Sequence, residues 1–435
     1  MMTERKISPM VMCFIIGLTA LLIVRDLVGI SYNKFILVGF ALVFALVLNH
    51  SDLATMMCFM FPLTWGLPYT YIFSASIITY WLKRKEIPVE SGILFFLYFL
   101  LEIIASYFYP ATDYAWIIKY LSVIAIFFTF LYDSEIDKES CIKAFYIGSI
   151  VLCIVIILTT FKNAPSNWLY LFSRGWFRFG SKQAENVDGM MLSVNANTLA
   201  YYSVVGCALA FNFIPESKGR TRFIHIGALA LFAVSGVFTV SISWMLVMSV
   251  CTLLFVFTQT KSGKAVLLTG VGIVFVIIIA RIALSRTPEL LAAFTSRLTT
   301  VDLASGDART DLMMGYHNAF WGNPRFIFLG TGVTQYRQVT NISNSFHNMA
   351  QQIFVSYGVI AGFVFFVGFL APLRRLGRHT TALIDWLPMV AVLLFTQTIQ
   401  FINPESLMLP YVVAFYLLSV RSMEGQNDEA LYNNG

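Results

Sequence analysis

Apolar residues run along this chain in long blocks, and charged or turn residues punctuate the blocks at the intervals a bilayer would set. Read in order, the blocks predict spans near 10–24, 35–49, 53–65, 68–82, 91–109, 114–132 and 143–161. Further spans fall near 195–214, 223–240, 242–258 and 264–282, then 351–370, 381–401 and 406–420. Such a block can cross roughly 30 Å of hydrocarbon only as a helix, because an unpaired backbone amide in lipid costs several kcal/mol. The expected fold is an all-α polytopic membrane protein of about 14 transmembrane helices, range 12–14. Residues 1–161 form an N-terminal bundle, 195–282 a central group, 351–420 a C-terminal group and 421–435 a tail. Two long polar loops, 162–194 and 283–350, interrupt the series.

An even number of spans puts both termini on one side, and the short loops say which. With a cytoplasmic N-terminus, the inner loops carry Lys83-Arg84-Lys85, Lys218 with Arg220 and Arg222, Lys261 with Lys264, and Arg374-Arg375 with Arg378, while the outer short loops carry almost none. Two long apolar stretches, 53–82 and 223–258, must divide at Trp65-Gly66-Leu67-Pro68 and at Ser241-Ile242-Ser243 for the asymmetry to hold. Both termini and the tail are then cytoplasmic, and both long loops lie outside. The first block follows Thr3-Glu4-Arg5-Lys6 without a small-residue cleavage site, so it reads as a retained span.

Composition agrees: 58% of the 435 residues are hydrophobic and only 12% charged, about half the charged fraction of soluble domains, roughly 25%. The six cysteines sit in or beside apolar blocks and outside both long loops, which predicts neither a disulfide framework nor thiolate chemistry. Charge adds one feature. From position 162 onward the outer regions hold Arg174, Arg178, Arg281, Arg286, Arg297, Arg309, Arg325 and Arg337 but only Lys162 and Lys182. A planar, permanently charged fork that grips phosphate is a reason to prefer arginine there; a solvated basic surface is the plainer alternative.

Within the spans, Glu102 and Lys119 flank the Pro110-Ala111 turn at similar depth, which predicts either a buried ion pair or a lysine facing an outward-opening anion site. In the long loop, His347-Asn348 lies at the threshold of the next span, and a histidine suits a general base acting on a sugar hydroxyl. His317 competes with it, surrounded by Met313, Met314, Tyr316 and Phe320, which read as one helical face packed on the bundle. Gly330-Thr331-Gly332 reads as a turn, or as a place where backbone approaches a ligand. Trp176, Trp321, Tyr316 and Tyr336 are positioned either to stack on sugars or to anchor at the interface. Asp302, Asp307 and Asp311 lack partners at ligand spacing, so no metal is expected, and no nucleotide, cofactor or nucleic-acid motif is present.

In chain order stand Asn195-Ala196-Asn197-Thr198-Leu199-Ala200 opening a span, the break at Ser241-Ile242-Ser243, Gly306-Asp307-Ala308-Arg309 opening a helix, and Gly330-x-Gly332 followed by His347-Asn348 and Tyr357-Gly358. This ordered set resembles the O-antigen polymerase and ligase superfamily of bacterial membrane glycosyltransferases, over about 190–365. The resemblance implies a GT-C-like protein of the bacterial cytoplasmic membrane that transfers a glycan from undecaprenyl diphosphate to an acceptor hydroxyl outside, inverting and without metal or cofactor. It implies Arg309 as the arginine holding the diphosphate and His347 as the base; beside them, the residue pattern itself makes Arg174, Arg178, Arg281, Arg297, Arg325, Arg337, Asn348, Asn197, Lys119 and Tyr336 the candidate substrate-binding residues. Lipid-linked donor and acceptor, the bilayer, a chain-length regulator and a flippase are the implied partners. An arginine, ten residues and a glycine, a pattern described in the polymerases, fits Arg178 to Gly189. The chain departs from the family at Ser243-Trp244, where many relatives place an arginine after the serine; Arg174, Arg178 or Arg281 would supply that charge. A polymerase fits best, a ligase shares the chemistry, and a transporter of lipid-linked sugars is the rival from another class.

Overall fold

A computed structural model of the chain describes residues 6–109, 114–173, 177–180, 194–259, 308–340, 348–374, 382–402 and 407–433, with single positions 288, 292, 295, 342, 346 and 376. Helix is the only regular secondary structure among them. Seven of the described helices are long and apolar enough to cross a membrane: Pro9–Val28, Val89–Phe108, Tyr114–Tyr132, Lys138–Lys162, Ala196–Glu216, Gly219–Phe238 and Met349–Arg374. The chain is a multi-pass, all-helical membrane protein. The expected span 264–282 lies outside the described residues.

Two compact units emerge, residues 1–148 with 306–380 and 396–435, and residues 149–305 with 381–395. The first contains α1 (Pro9–Ile23), α2 (Phe35–Val47), α3 (His50–Met60), α4 (Tyr69–Arg84), α5 (Val89–Phe108) and α6 (Tyr114–Tyr132). The division expected in 53–82 is present: α3 gives way to a 3-10 segment, Phe61–Gly66, started by Pro62, and α4 begins after Pro68. α6 lies at the centre, with Ile117 and nearly every residue from Tyr120 to Leu131 buried. Aromatic rings fill the space around it, Phe127 stacking on Phe365 and Phe369, and Tyr411 on Phe369 at 4.0 Å. Buried tyrosine hydroxyls favour an acceptor: Tyr98 finds Ala361 O, Tyr411 finds Phe369 O and Tyr416 finds Phe130 O, whereas Tyr357 Oη finds none among the described residues.

The Lys83-Arg84 cluster has structural partners. Lys83 Nζ donates to the carbonyls of Ala45, Leu46 and Leu48, the open end of α2, where a cation also meets the negative end of the helix dipole. Arg84 donates to Asp133 at 2.9 Å, and Tyr80 donates to the same carboxylate at 2.7 Å. Removing that buried anion leaves the Tyr80 hydroxyl unmet and cuts Arg84 back to its contact with Glu135 at 3.0 Å, so Asp133→Ala is expected to cost about 2 kcal/mol. Thermal unfolding in detergent would read this as a lowered Tm, and an unchanged Tm would count against the network.

The second unit includes the C-terminal part of α7 (Lys138–Lys162), with α8 (Trp168–Ser173), α9 (Ala196–Glu216), α10 (Gly219–Phe238) and α11 (Ile242–Gln259). The break expected at Ser241 separates α10 from α11, and Val240 takes φ 50°, an unusual value for a β-branched residue. Gly236 lies against the Trp244 ring so closely that a Cβ would meet Nε1 at 2.0 Å, and Trp244 Nε1 in turn donates to Ser203. One expected span ends early. Residues 381–401 form a 3-10 turn and then α16 (Leu387–Phe395) only, after which the chain turns from 396 to 402. Pro404 follows closely, and the backbone N–H groups of Phe401 and Ile402 go to the side chain of Gln352 instead of to a helix. The final helix, α17 (Leu409–Asn433), runs on through the expected tail.

All six cysteines are unpaired, and all but Cys13 are buried.

Candidate functional site

Residues 283–350, expected as one long outer polar loop, contain three helices among the described residues: α12 (Ala308–Trp321), α13 (Pro324–Leu329) and α14 (Tyr336–Thr340). α15 (Met349–Arg374) follows, and it is broken at Gly358, where φ 75° and ψ 179° leave the helical region. A break at membrane depth needs partners for the backbone groups it releases. Here the carbonyls of Val355 and Ser356 accept from Thr331 N and Gly332 N, each at 2.9 Å. Gly330-Thr331-Gly332 and Tyr357-Gly358 are thus two sides of one contact. A Cβ on Gly330 would lie 2.2 Å from Ser356 O, and one on Gly358 would lie 2.6 Å from Phe328 O. These glycines admit another stretch of backbone, which neither sequence reading of the motif foresaw.

The turn continues onto α5. Val333 N donates to Glu102 Oε1 at 2.8 Å, and Gln335 Nε2 reaches Ser106 Oγ at 3.2 Å. The next residues open α14. Tyr336 is only 3% exposed, packed on Phe346 at 4.4 Å and Tyr316 at 5.9 Å, so it is not free to stack on a sugar. Tyr316 is likewise buried, and burial pushes its phenol up, away from service as a base near neutrality. The expected face of α12 is corrected in the same way: Tyr316 and Phe320 are buried, whereas Met313 and Met314 are exposed. Tyr336 instead steadies its neighbour. Arg337 is exposed, donates Nε to Tyr336 Oη at 3.1 Å and lies over that ring at 5.7 Å.

Asn348 and Lys119 complete the described part of the first unit's set. Asn348 Oδ1 accepts from Gln351 N and its Nδ2 donates to Gln397, while Met349 N reaches Thr396 O, tying the head of α15 to the 396–402 turn. The expected Glu102–Lys119 ion pair is not formed: Glu102 Oε2 has no hydrogen-bond partner, and Lys119 lies over Trp116 at 4.6 Å and Tyr69 at 5.4 Å. Arg325 is exposed at the start of α13, whose N-terminus Asn323 caps. Arg309 lies in the first turn of α12, with its side chain outside the described residues. His347, Arg174, Trp176, Gly189, Arg281, Arg286 and Arg297 also lie outside them, as do Asp302, Gly306 and Asp307.

In the second unit, Asn197 accepts from Ser241 Oγ at 3.2 Å, joining the head of α9 to the α10–α11 break. Phe179 N donates to Phe238 O at the end of α10, and its ring stacks on Phe238 at 4.8 Å, which brings half-buried Arg178 beside the same break.

The chain matches no protein-family model and no curated protein. Among the described residues, no cluster of histidine, cysteine, aspartate and glutamate could hold a metal. A groove of about 850 Å³ beside Pro9, Met10, Val43 and Phe44 is mostly apolar and offers no comparable set of polar groups.

Three polar anchors escaped sequence reasoning: Glu102 as acceptor for the turn, Gln352 as acceptor for Phe401 and Ile402, and the Arg25–Asp26 pair, 2.6 Å apart in a π-helical turn, whose Arg25 also donates to Gly66 O. A usable signal existed for Gln352, since an amide inside an apolar run must find partners.

Proposed function

We propose that this chain is a polysaccharide polymerase of the bacterial cytoplasmic membrane, with about 14 spans, cytoplasmic termini and a GT-C-like site facing outside. It joins undecaprenyl-diphosphate-linked repeat units by inverting, metal-independent transfer. The acceptor hydroxyl oxygen attacks the anomeric carbon as the bond to the diphosphate oxygen breaks. The electron pair leaves with the diphosphate, whose charge Arg309 and neighbouring arginines steady, and the hydroxyl proton passes to His347. The polyprenyl tail stays among the spans while the diphosphate sits at their rim. The observation that carries the reading is Arg337: an exposed guanidinium fork, braced by a buried tyrosine, on a segment tied to both α5 and α15.

Arginine at such a site contributes two parallel hydrogen bonds as well as charge. In vesicles carrying lipid-linked repeats, Arg309→Lys and Arg337→Lys are each expected to slow chain growth about ten-fold or more, since lysine keeps the charge and loses the fork. Undiminished growth in both variants would rule out bidentate diphosphate binding.

A ligase that moves the glycan to a lipid A core would use the same groups, and replacing the acceptor in that assay separates the two. The rival class, a transporter of lipid-linked sugars, has one observation in its favour: a helix broken at Gly358 beside an acid within a span, Glu102. Movement of intact repeats across vesicles without a new glycosidic bond would favour it.

A further inference from the structure

We infer that Glu102 is a positioning residue: its carboxylate fixes the Gly330–Gln335 turn against α5 and so sets where Arg337 presents its guanidinium. The inference rests on the reading above for what Arg337 binds, and on geometry alone for what Glu102 holds. Glu102 is 0% exposed and lies on the buried stripe of α5 with Leu94, Tyr98 and Ala105. Its Oε1 accepts from Val333 N, and its Oε2 has no hydrogen-bond partner. A buried backbone N–H left without an acceptor is costly, and Glu102 supplies that acceptor from inside α5. That bond is spent on one backbone N–H, four residues before Arg337.

The other ties converge on the same turn. Ser106 Oγ donates to Glu102 O at 2.7 Å and receives Gln335 Nε2, so α5 holds the turn at two points two residues apart. Thr331 and Gly332 fix its other side to α15. α14 begins at Tyr336, immediately after Gln335, and Arg337 leans on Tyr336. No flexible spacer separates the latch from the fork, so a turn that slackens at Val333 displaces the guanidinium.

The test uses full-length protein in nanodiscs, with amide exchange over 326–335 and chain-growth kinetics on lipid-linked repeats measured for each variant. Glu102→Ala is expected to speed exchange at Val333 about ten-fold and to raise KM for the lipid-linked donor by about the same factor, with kcat nearly unchanged. Glu102→Gln keeps an acceptor oxygen and should stay close to wild type on both readouts. Gln335→Ala loosens the turn through Ser106 without touching a buried charge, and should move both readouts in the same direction by a smaller factor. Unchanged exchange in Glu102→Ala overturns the inference, as does a Gln variant as impaired as the Ala variant, or a fall in kcat at constant KM, which signals lost folded protein. If exchange responds as expected while even the wild type extends no glycan, the latch stands and the transfer reading fails.

Discussion

Replacing His347 with alanine is expected to lower the rate of chain growth by about 10²–10⁴-fold, the usual worth of a positioned general base. His347 lies between two anchored positions: Phe346 is 1% exposed and stacked on Tyr316 at 4.2 Å, and Asn348 caps α15 and bonds to Gln397. The proposal also fixes a pH profile. Only neutral imidazole accepts the proton, so the rate falls as pH drops through the histidine range, near 6.5 for an unperturbed side chain. That acid limb should vanish in His347→Ala along with most of the rate. A variant that keeps both the rate and the limb would transfer the role to another group, with exposed His317 the first to test.

The second large effect is on the fold. Gly358→Ala must hold an L-residue at φ 75° and place a methyl 2.6 Å from Phe328 O, with Ile327 O only 2.8 Å away. The obstacles are backbone atoms, which cannot swing aside as a side chain can. Left-handed backbone and overpacking together should cost about 3 kcal/mol or more, with Gly330→Ala close behind for the same reasons. A lowered Tm in detergent and reduced yield would report this. Gly92→Ala is the control, because Gly92 sits in exposed α5 with nothing within 4 Å, and alanine there should be neutral or slightly stabilising. Equal behaviour of Gly92→Ala and Gly358→Ala would refute the close contact.

Hydropathy made the spans legible where burial in lipid decides the helix: Tyr114–Tyr132 coincides with its expected range, and Val89–Phe108 differs by two residues at its start and one at its end. It failed where a distant side chain competes for backbone. The run from 381 to 401 looks continuous, yet Gln352, far along the chain, takes the N–H groups at its end. Gly358 was equally hidden, since glycine is common in membrane helices and its φ depends on the turn at 330 that meets it. For Glu102 and Lys119, sequence gave depth without rotation. The hairpin spacing predicts a shared depth, but rotation about each helix turns Glu102 toward Val333 and Lys119 toward Trp116. Tyr336 shows the same limit: an aromatic ring in a polar segment was visible, and the neighbours that bury it were not.

The first unit is discontinuous in sequence, and its closing piece comes last. α17 packs on α6, with Tyr416 bonded to Phe130 O and Val413 and Leu417 fully buried. During synthesis, α6 is therefore complete long before the helix that covers it exists, and the second unit and residues 306–380 are made in between. At roughly 5–20 residues per second this delay is on the order of tens of seconds. Throughout it, an aromatic face shaped for protein must be sheltered by lipid or by the insertion machinery, so the order of translation makes the C-terminal helix the step that commits the bundle to its native arrangement.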